Sequence, residues 1–153
     1  MYKYNIRSNG IERRMNVSYV IKKEVPLFEQ FAALHEASGL HKSKKGNYTK
    51  EQLFEAAANS WFRVGIYDNE QLIAFGRMIS DGIYQALICD VMVDPTYQNK
   101  GLGKQIIQEL LTKCQESGIE SIQLFAAKGK HHFYKKLGFQ EREEDAPGMS
   151  LVI

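Results

Sequence analysis

Between Asn16 and Glu24 the stretch NVSYVIKKE mixes β-branched and aromatic residues with polar ones in partial alternation, the pattern of a strand. Pro26 follows. Leu27, Phe28, Phe31, Leu34 and His35 then recur at helical spacing, which predicts a helix stopped by Gly39. HKSKKGNY (His41–Tyr48) is polar and basic and reads as a loop, and Thr49 with Gln52 forms a capping box for a second helix ending near Asn59. WFRVGIYD and QLIAFGRMIS are strand patterns split only by Asn69 and Glu70, hence a hairpin. After Asp81 and Gly82, IYQALICDVMV predicts a longer strand antiparallel to its predecessor.

A third helix is expected from Leu102, with Leu102, Ile106, Ile107, Leu110, Leu111 and Cys114 on its inner face and Gly118 as its stop. IESIQLFAA reads as a strand that, reached through a helix, runs parallel to the previous one. A short helix over Lys130–Leu137 and a final strand or hairpin in FQEREEDAPGMSLVI complete the chain. The pattern predicts a single α+β domain over residues 16–153, with a mixed, mostly antiparallel sheet and about four helices. Residues 1–15, MYKYNIRSNGIERRM, are polar and irregular and read as an N-terminal extension, with Met15 a second candidate start.

Composition narrows the options. At 153 residues, 44% hydrophobic and 25% charged, the chain suits one globular domain. A net charge of +2 is too mild to imply nucleic acid but suits an anionic ligand at one local patch. Cys89 and Cys114 read as two reduced thiols in a cytoplasmic protein, and with four scattered histidines they give no metal-ligand spacing. No run is long enough to span a membrane, and the first residues lack the apolar segment of a signal peptide.

The stretch DPTYQNKGLGKQIIQELL (Asp94–Leu111) carries the candidate chemistry. A helix N-terminus leaves backbone N–H groups unpaired and is partially positive, so it suits phosphate oxygens if the main chain can come close. Gly101 and Gly103 remove the side chains that would block that approach, and Lys100 and Lys104 add charge. A nucleotide P-loop would need glycine where Gln98 stands and Ser or Thr where Gln105 stands, and a dinucleotide fingerprint would need a third glycine. Both fail. Asp90 is conspicuous for another reason: a carboxylate in an apolar run must be paired or functional.

VMVDPTYQNKGLGKQIIQELL resembles the signature of the GNAT superfamily of N-acetyltransferases, Gln/Arg-x-x-Gly-x-Gly/Ala, through Gln98, Gly101 and Gly103. Thirty residues on, FYKKLGF (Phe133–Phe139) is similar to the family's second common element. GRMISDG, IQLFAA and PGM further resemble a subgroup that includes plant serotonin N-acetyltransferases. The chain departs from the family at Ala127, where asparagine is frequent, and at Lys130, where a small residue is usual.

The resemblance implies that acetyl-CoA, with no metal, lies where ALICDVMV and SIQLFAA splay apart. Main-chain groups of Val91, Met92 and Val93 would then pair with the pantetheine amides, one N–H of Val91 or Met92 facing the thioester oxygen. Gln98, Asn99, Lys100, Gly101, Leu102, Gly103 and Lys104 would wrap the pyrophosphate. Tyr134 is the expected general acid. Asp90 would accept the ammonium proton, hold the amine, or serve as a hydrogen-bonded structural group. Arg77 and Asp81 are weaker candidates for the acceptor pocket, and alternation sets Cys89 on the face opposite Asp90. The expected acceptor is a small-molecule primary amine. A protein lysine or N-terminus, or a non-catalytic acyl-CoA-binding role, are the alternatives, and MSLVI could pair two copies as a homodimer.

Overall fold

The structure, a computed structural model, describes residues 19–43 and 46–153. The expected extension over 1–15 and the start of the first predicted strand lie outside the described residues. Five strands form one sheet in chain order: β1 (Val20–Lys22), β2 (Phe62–Asp68), β3 (Gln71–Ser80), β4 (Gln85–Val93) and β5 (Ser121–Leu124). Every neighbouring pair is antiparallel except β4 and β5. The helices are α1 (Phe28–Ser38), α2 (Lys50–Ala58), α3 (Leu102–Glu116) and α4 (His131–Lys135).

Local chemistry sets most boundaries. Asn69 takes φ 53° in the two-residue turn between Asp68 and Gln71, the left-handed conformation that closes a tight hairpin. Asp81 Oδ1 accepts hydrogen bonds from the amides of Ile83 (2.8 Å), Tyr84 (2.7 Å) and Gln85 (3.3 Å), so Ile83 and Tyr84 belong to the turn and β4 starts later than the sequence pattern suggests. Thr49 Oγ1 accepts from the Gln52 amide at 3.2 Å while Gln52 Oε1 accepts from the Thr49 amide at 2.9 Å, the reciprocal cap expected for α2. Gly39 ends α1 at φ 71°.

Two expectations at the C-terminal end are corrected. The strand predicted over 119–127 is shorter, because residues 125–127 part from β4. The expected final strand or hairpin does not form, and residues 139–153 are without strand. Glu141, Arg142, Glu143, Glu144 and Asp145 make an unalternating charged run, and Pro147 has no N–H to offer a ladder. Glu141 instead meets Lys135 Nζ at 3.2 Å, and Met149 and Leu151 are exposed.

The sheet is covered on both faces. Val64, Ile66, Met78 and Ile88 bury against Ile106, Ile107, Leu110 and Cys114 of α3. On the other face Tyr67, Leu72, Phe75 and Met92 meet Phe31, Leu34 and Ala57 of α1 and α2, Phe31 standing edge-on to Phe75 at 5.5 Å. Gly76 lets α3 sit close: a Cβ there would lie 2.5 Å from Ile106 Cγ2. Gly76→Ala is therefore expected to destabilise the fold by about 1–3 kcal/mol through overpacking, read as a lower urea midpoint with unchanged slope.

Candidate active site

The site begins where β4 loses a neighbour. Its register with β5 runs from Gln85 opposite Ser121 to Ile88 opposite Leu124 and stops. On the other side it stays paired with β3, but through a bulge: Cys89 faces Arg77 and Met92 faces Phe75, so Asp90 and Val91 together oppose Gly76. Asp90 adopts φ 49°, a conformation that costs a side-chain-bearing residue of order 1 kcal/mol or more and needs outside support. The support is visible. Asp90 Oδ2 accepts from Arg77 Nε at 2.6 Å, with both side chains 13% exposed. Arg77 Nη1 also donates to Ser60 Oγ (3.2 Å) and the Ala56 carbonyl (3.4 Å), tying the bulge to the end of α2.

The bulge also overturns the alternation expected for Cys89. Because Cys89 is in register with Arg77 and Asp90 reaches that same guanidinium, the two lie on one side of the sheet. Cys89 Sγ lies 3.6 Å from the Leu87 carbonyl.

Past the bulge, the chain leads into the glycine loop. Asp94 receives the amide and hydroxyl of Thr96 at 2.9 and 2.7 Å, closing a short 3-10 turn over Pro95–Tyr97. Gln98 Nε2 donates back to the Val93 carbonyl at 3.5 Å. Asn99 (φ 61°) and Gly101 (φ 81°) then turn the backbone so that α3 begins at Leu102 with no side chain capping it. The amides of Leu102, Gly103 and Lys104 have no carbonyl one turn earlier to meet. A Cβ on Gly103 would come 3.4 Å from Phe133 Cζ.

These pieces border one open cavity of about 560 Å³. Val91, Met92 and Val93 form one wall, Gln98, Asn99 and Gly101 to Lys104 the floor, and Phe133 and Tyr134 of α4 the opposite wall. Tyr134 is half-buried between Phe133 (5.0 Å) and Phe139 (5.9 Å), and burial pushes its phenol up from the ordinary 10.0. Its hydroxyl makes no hydrogen bond to another described residue.

The structure thus gathers nearly all the expected cofactor-contacting residues. Lys100 is the exception: its Nζ lies over the Tyr97 ring at 4.8 Å, outside the cavity lining. Asp90 and Arg77 do not line the cavity. Asp81 is held in the β3–β4 turn by the three amides described above, which also hold its carboxyl below the usual range, Tyr84 contributing most. The His131 and His132 rings lie 3.9 Å apart on α4, tilted by 40°, without lining the cavity. Sequence reasoning missed Ser38, Gly39 and Leu40 as cavity residues, which close it from the end of α1, and the partnership of Arg77 with Ser60. Ala127 and Lys130, the two departures from the family pattern, both line it.

A family model described as an acetyltransferase (GNAT) domain matches residues 60–141, more than half of the chain and every element of this site except the ends of α1 and α2. The chain belongs to the GNAT acetyltransferase family. A histone acetyltransferase of Glycine max is 42% identical over 87 residues, 56% of this chain and 38% of that protein. A chloroplastic serotonin N-acetyltransferase of Oryza sativa is 33% identical over 79 residues, 52% of this chain and 40% of that one. The chain spans less than half the length of these two relatives. A GNAT family acetyltransferase of known structure from Streptococcus pneumoniae shares the fold, with a TM-score of 0.72 over 89% of this chain and 98% of that one at 24% identity.

The uncapped amides of the loop suit a diphosphate, so inorganic pyrophosphate serves as a probe of the GNAT signature here. Its addition is expected to shift the amide resonances of Gly101–Lys104. Gly103→Leu, which pushes a side chain toward Phe133, is expected to weaken the apparent affinity at least about tenfold through lost charge-assisted hydrogen bonds.

Proposed function

We propose that this GNAT chain transfers the acetyl group of acetyl-CoA to a primary amine of a small molecule, by direct attack with donor and acceptor bound together. The reading rests chiefly on the unpaired edge of β4, which begins after Ile88 and leads straight to the uncapped N-terminus of α3. Buried main-chain polar groups require partners, and an edge of this kind suits the amides of an extended ligand arm as strand addition does. The residues fit the cofactor: amides at both ends of the wall suit an amide-bearing arm and a diphosphate, with the loop glycine Gly103 leaving room beside Phe133.

When bound, acetyl-CoA supplies an activated acetyl thioester. The chain would do the rest by position. Val91–Val93 hold the arm, and an N–H of Val91 or Met92 meets the negative charge that develops on the thioester oxygen. A comparable donor elsewhere contributes about 3–4 kcal/mol. The amine nitrogen bonds to the acetyl carbon as the carbon–sulfur bond breaks. The departing sulfur takes the Tyr134 hydroxyl proton, and the proton from the nitrogen leaves through water. Of the roles considered for Asp90, that of a hydrogen-bonded structural group has the geometric support, since its carboxylate meets Arg77.

The relative described as a histone acetyltransferase favours a second reading, with a protein lysine as acceptor. A thiol-release assay with acetyl-CoA against polyamines, arylalkylamines, amino acids and histone peptides separates the two, and silence across the panel would remove both. The raised phenol gives a sign for pH. A general acid works while protonated, so loss of kcat from Tyr134 ionising belongs above pH 10.0. Tyr134→Phe is expected to lower kcat about 100-fold while leaving the calorimetric affinity for acetyl-CoA nearly unchanged.

A further inference from the structure

We propose that the Arg77–Asp90 ion pair is a positioning clamp: it holds the β4 bulge in the shape that aims the Val91 amide into the cavity. The inference rests on the acetyl-transfer reading above and assigns Arg77 a part in it through the backbone rather than through contact with the acceptor.

Three observations converge on this pair. Asp90 is the bulge residue, with φ 49°, and such a conformation persists only where its surroundings enforce it. The carboxylate is fixed at 2.6 Å by Arg77 Nε from the neighbouring strand, opposite Cys89, one position before the bulge. Arg77 is itself fixed by Ser60 Oγ and the Ala56 carbonyl, so the clamp is anchored on α2 and not merely on a second flexible side chain. Neither Arg77 nor Asp90 lines the cavity, whereas Val91, Met92 and Val93, immediately after the bulge, do. The pair therefore acts one step back from the chemistry. An ion pair of low exposure is a costly stabiliser, and its better-attested use is to select one geometry over others.

The clamp bears on the reacting carbonyl more than on cofactor affinity, because the diphosphate loop is held by its own turn at Asp94–Thr96. In the full chain, Arg77→Met is expected to lower kcat about 100-fold, the scale of a 1 Å misplacement, while acetyl-CoA affinity changes less than about threefold. Arg77→Lys, which can still meet Asp90, should recover part of the loss. It also serves if Arg77→Met fails to fold. Asp90→Asn retains an oxygen for Arg77 Nε and should lower kcat by about tenfold with the acid limb of the pH profile still in place. The double variant Arg77→Met/Asp90→Asn should be no slower than Arg77→Met alone, since both act through one element.

Additive losses in the double variant, full kcat in Arg77→Met, or disappearance of the acid limb in Asp90→Asn would each overturn the clamp, the last by making Asp90 a base. If the wild type binds acetyl-CoA but turns over no amine, the acetyl-transfer reading fails by itself. The clamp is then judged by the Val91 amide resonance, which should respond to acetyl-CoA in the wild type and not in Arg77→Met. A wild type that does not bind acetyl-CoA removes both.

Discussion

A strand inside a sheet has two rows of main-chain donors and acceptors to satisfy, and β4 satisfies both only as far as Ile88. From there β3 continues to pair with it while β5 turns away, so one row is left without a neighbouring strand, its Val93 carbonyl met by the Gln98 side chain. Nothing at the surface of the molecule would demand this. It occurs beside the core, where α3 is pressed onto Gly76, the residue that the bulge at Asp90 and Val91 opposes. The close approach of the helix, the bulge and the parting of the strands therefore share one location.

The electrostatics follow the same axis. The first turns of α1 and α2 each carry an acidic residue, Glu29 and Glu51, as complement to the positive end of the helix dipole. The first turn of α3 carries none, and its cap, Gly101, has no side chain to offer. The nearest acid in the chain, Asp94, is turned onto Thr96. The one long helix whose N-terminus lacks internal compensation is thus the one that opens onto the cavity. That asymmetry supports a bound anion more strongly than the two lysines, of which Lys100 lies over Tyr97 rather than toward the floor.

The helices, the hairpin at Asn69 and the glycine loop were legible because their determinants are local: period, caps and turn residues within a few positions of one another. What lay beyond the sequence depended on register. Alternation through ICDVMV puts Cys89 and Asp90 on opposite faces, and the single extra residue of the bulge cancels that inference. Arg77 was legible as a strand-end cation near the site but not as the partner of a carboxylate 13 positions away. The end of α1 could be read as a helix stop at Gly39, whereas its place at the cavity comes from packing Phe31 and Leu34 against the sheet. The missing final strand is the reverse case: the charged run and Pro147 were present in the sequence, and the apolar residues on either side outweighed them.

Tyr134 brings packing and chemistry together. Its flanking rings, Phe133 and Phe139, belong to the partly buried fringe of the α3-side core, so the same apolar contacts that dock α4 also raise the phenol above 10.0. In isolation that shift weakens an acid. In amine acetylation it has a second consequence, because the acceptor must be neutral to attack, and unperturbed alkylammonium groups lose their proton only near pH 10. A proton donor with an ordinary carboxyl or imidazole pKa would be empty long before the amine was ready. A buried phenol keeps its proton through the range in which the nucleophile becomes available. Once the amine loses its proton to water, the two groups no longer compete for the same pH. The docking of a five-residue helix on the core thus widens the pH range over which the phenol keeps the proton that the proposed transfer would use.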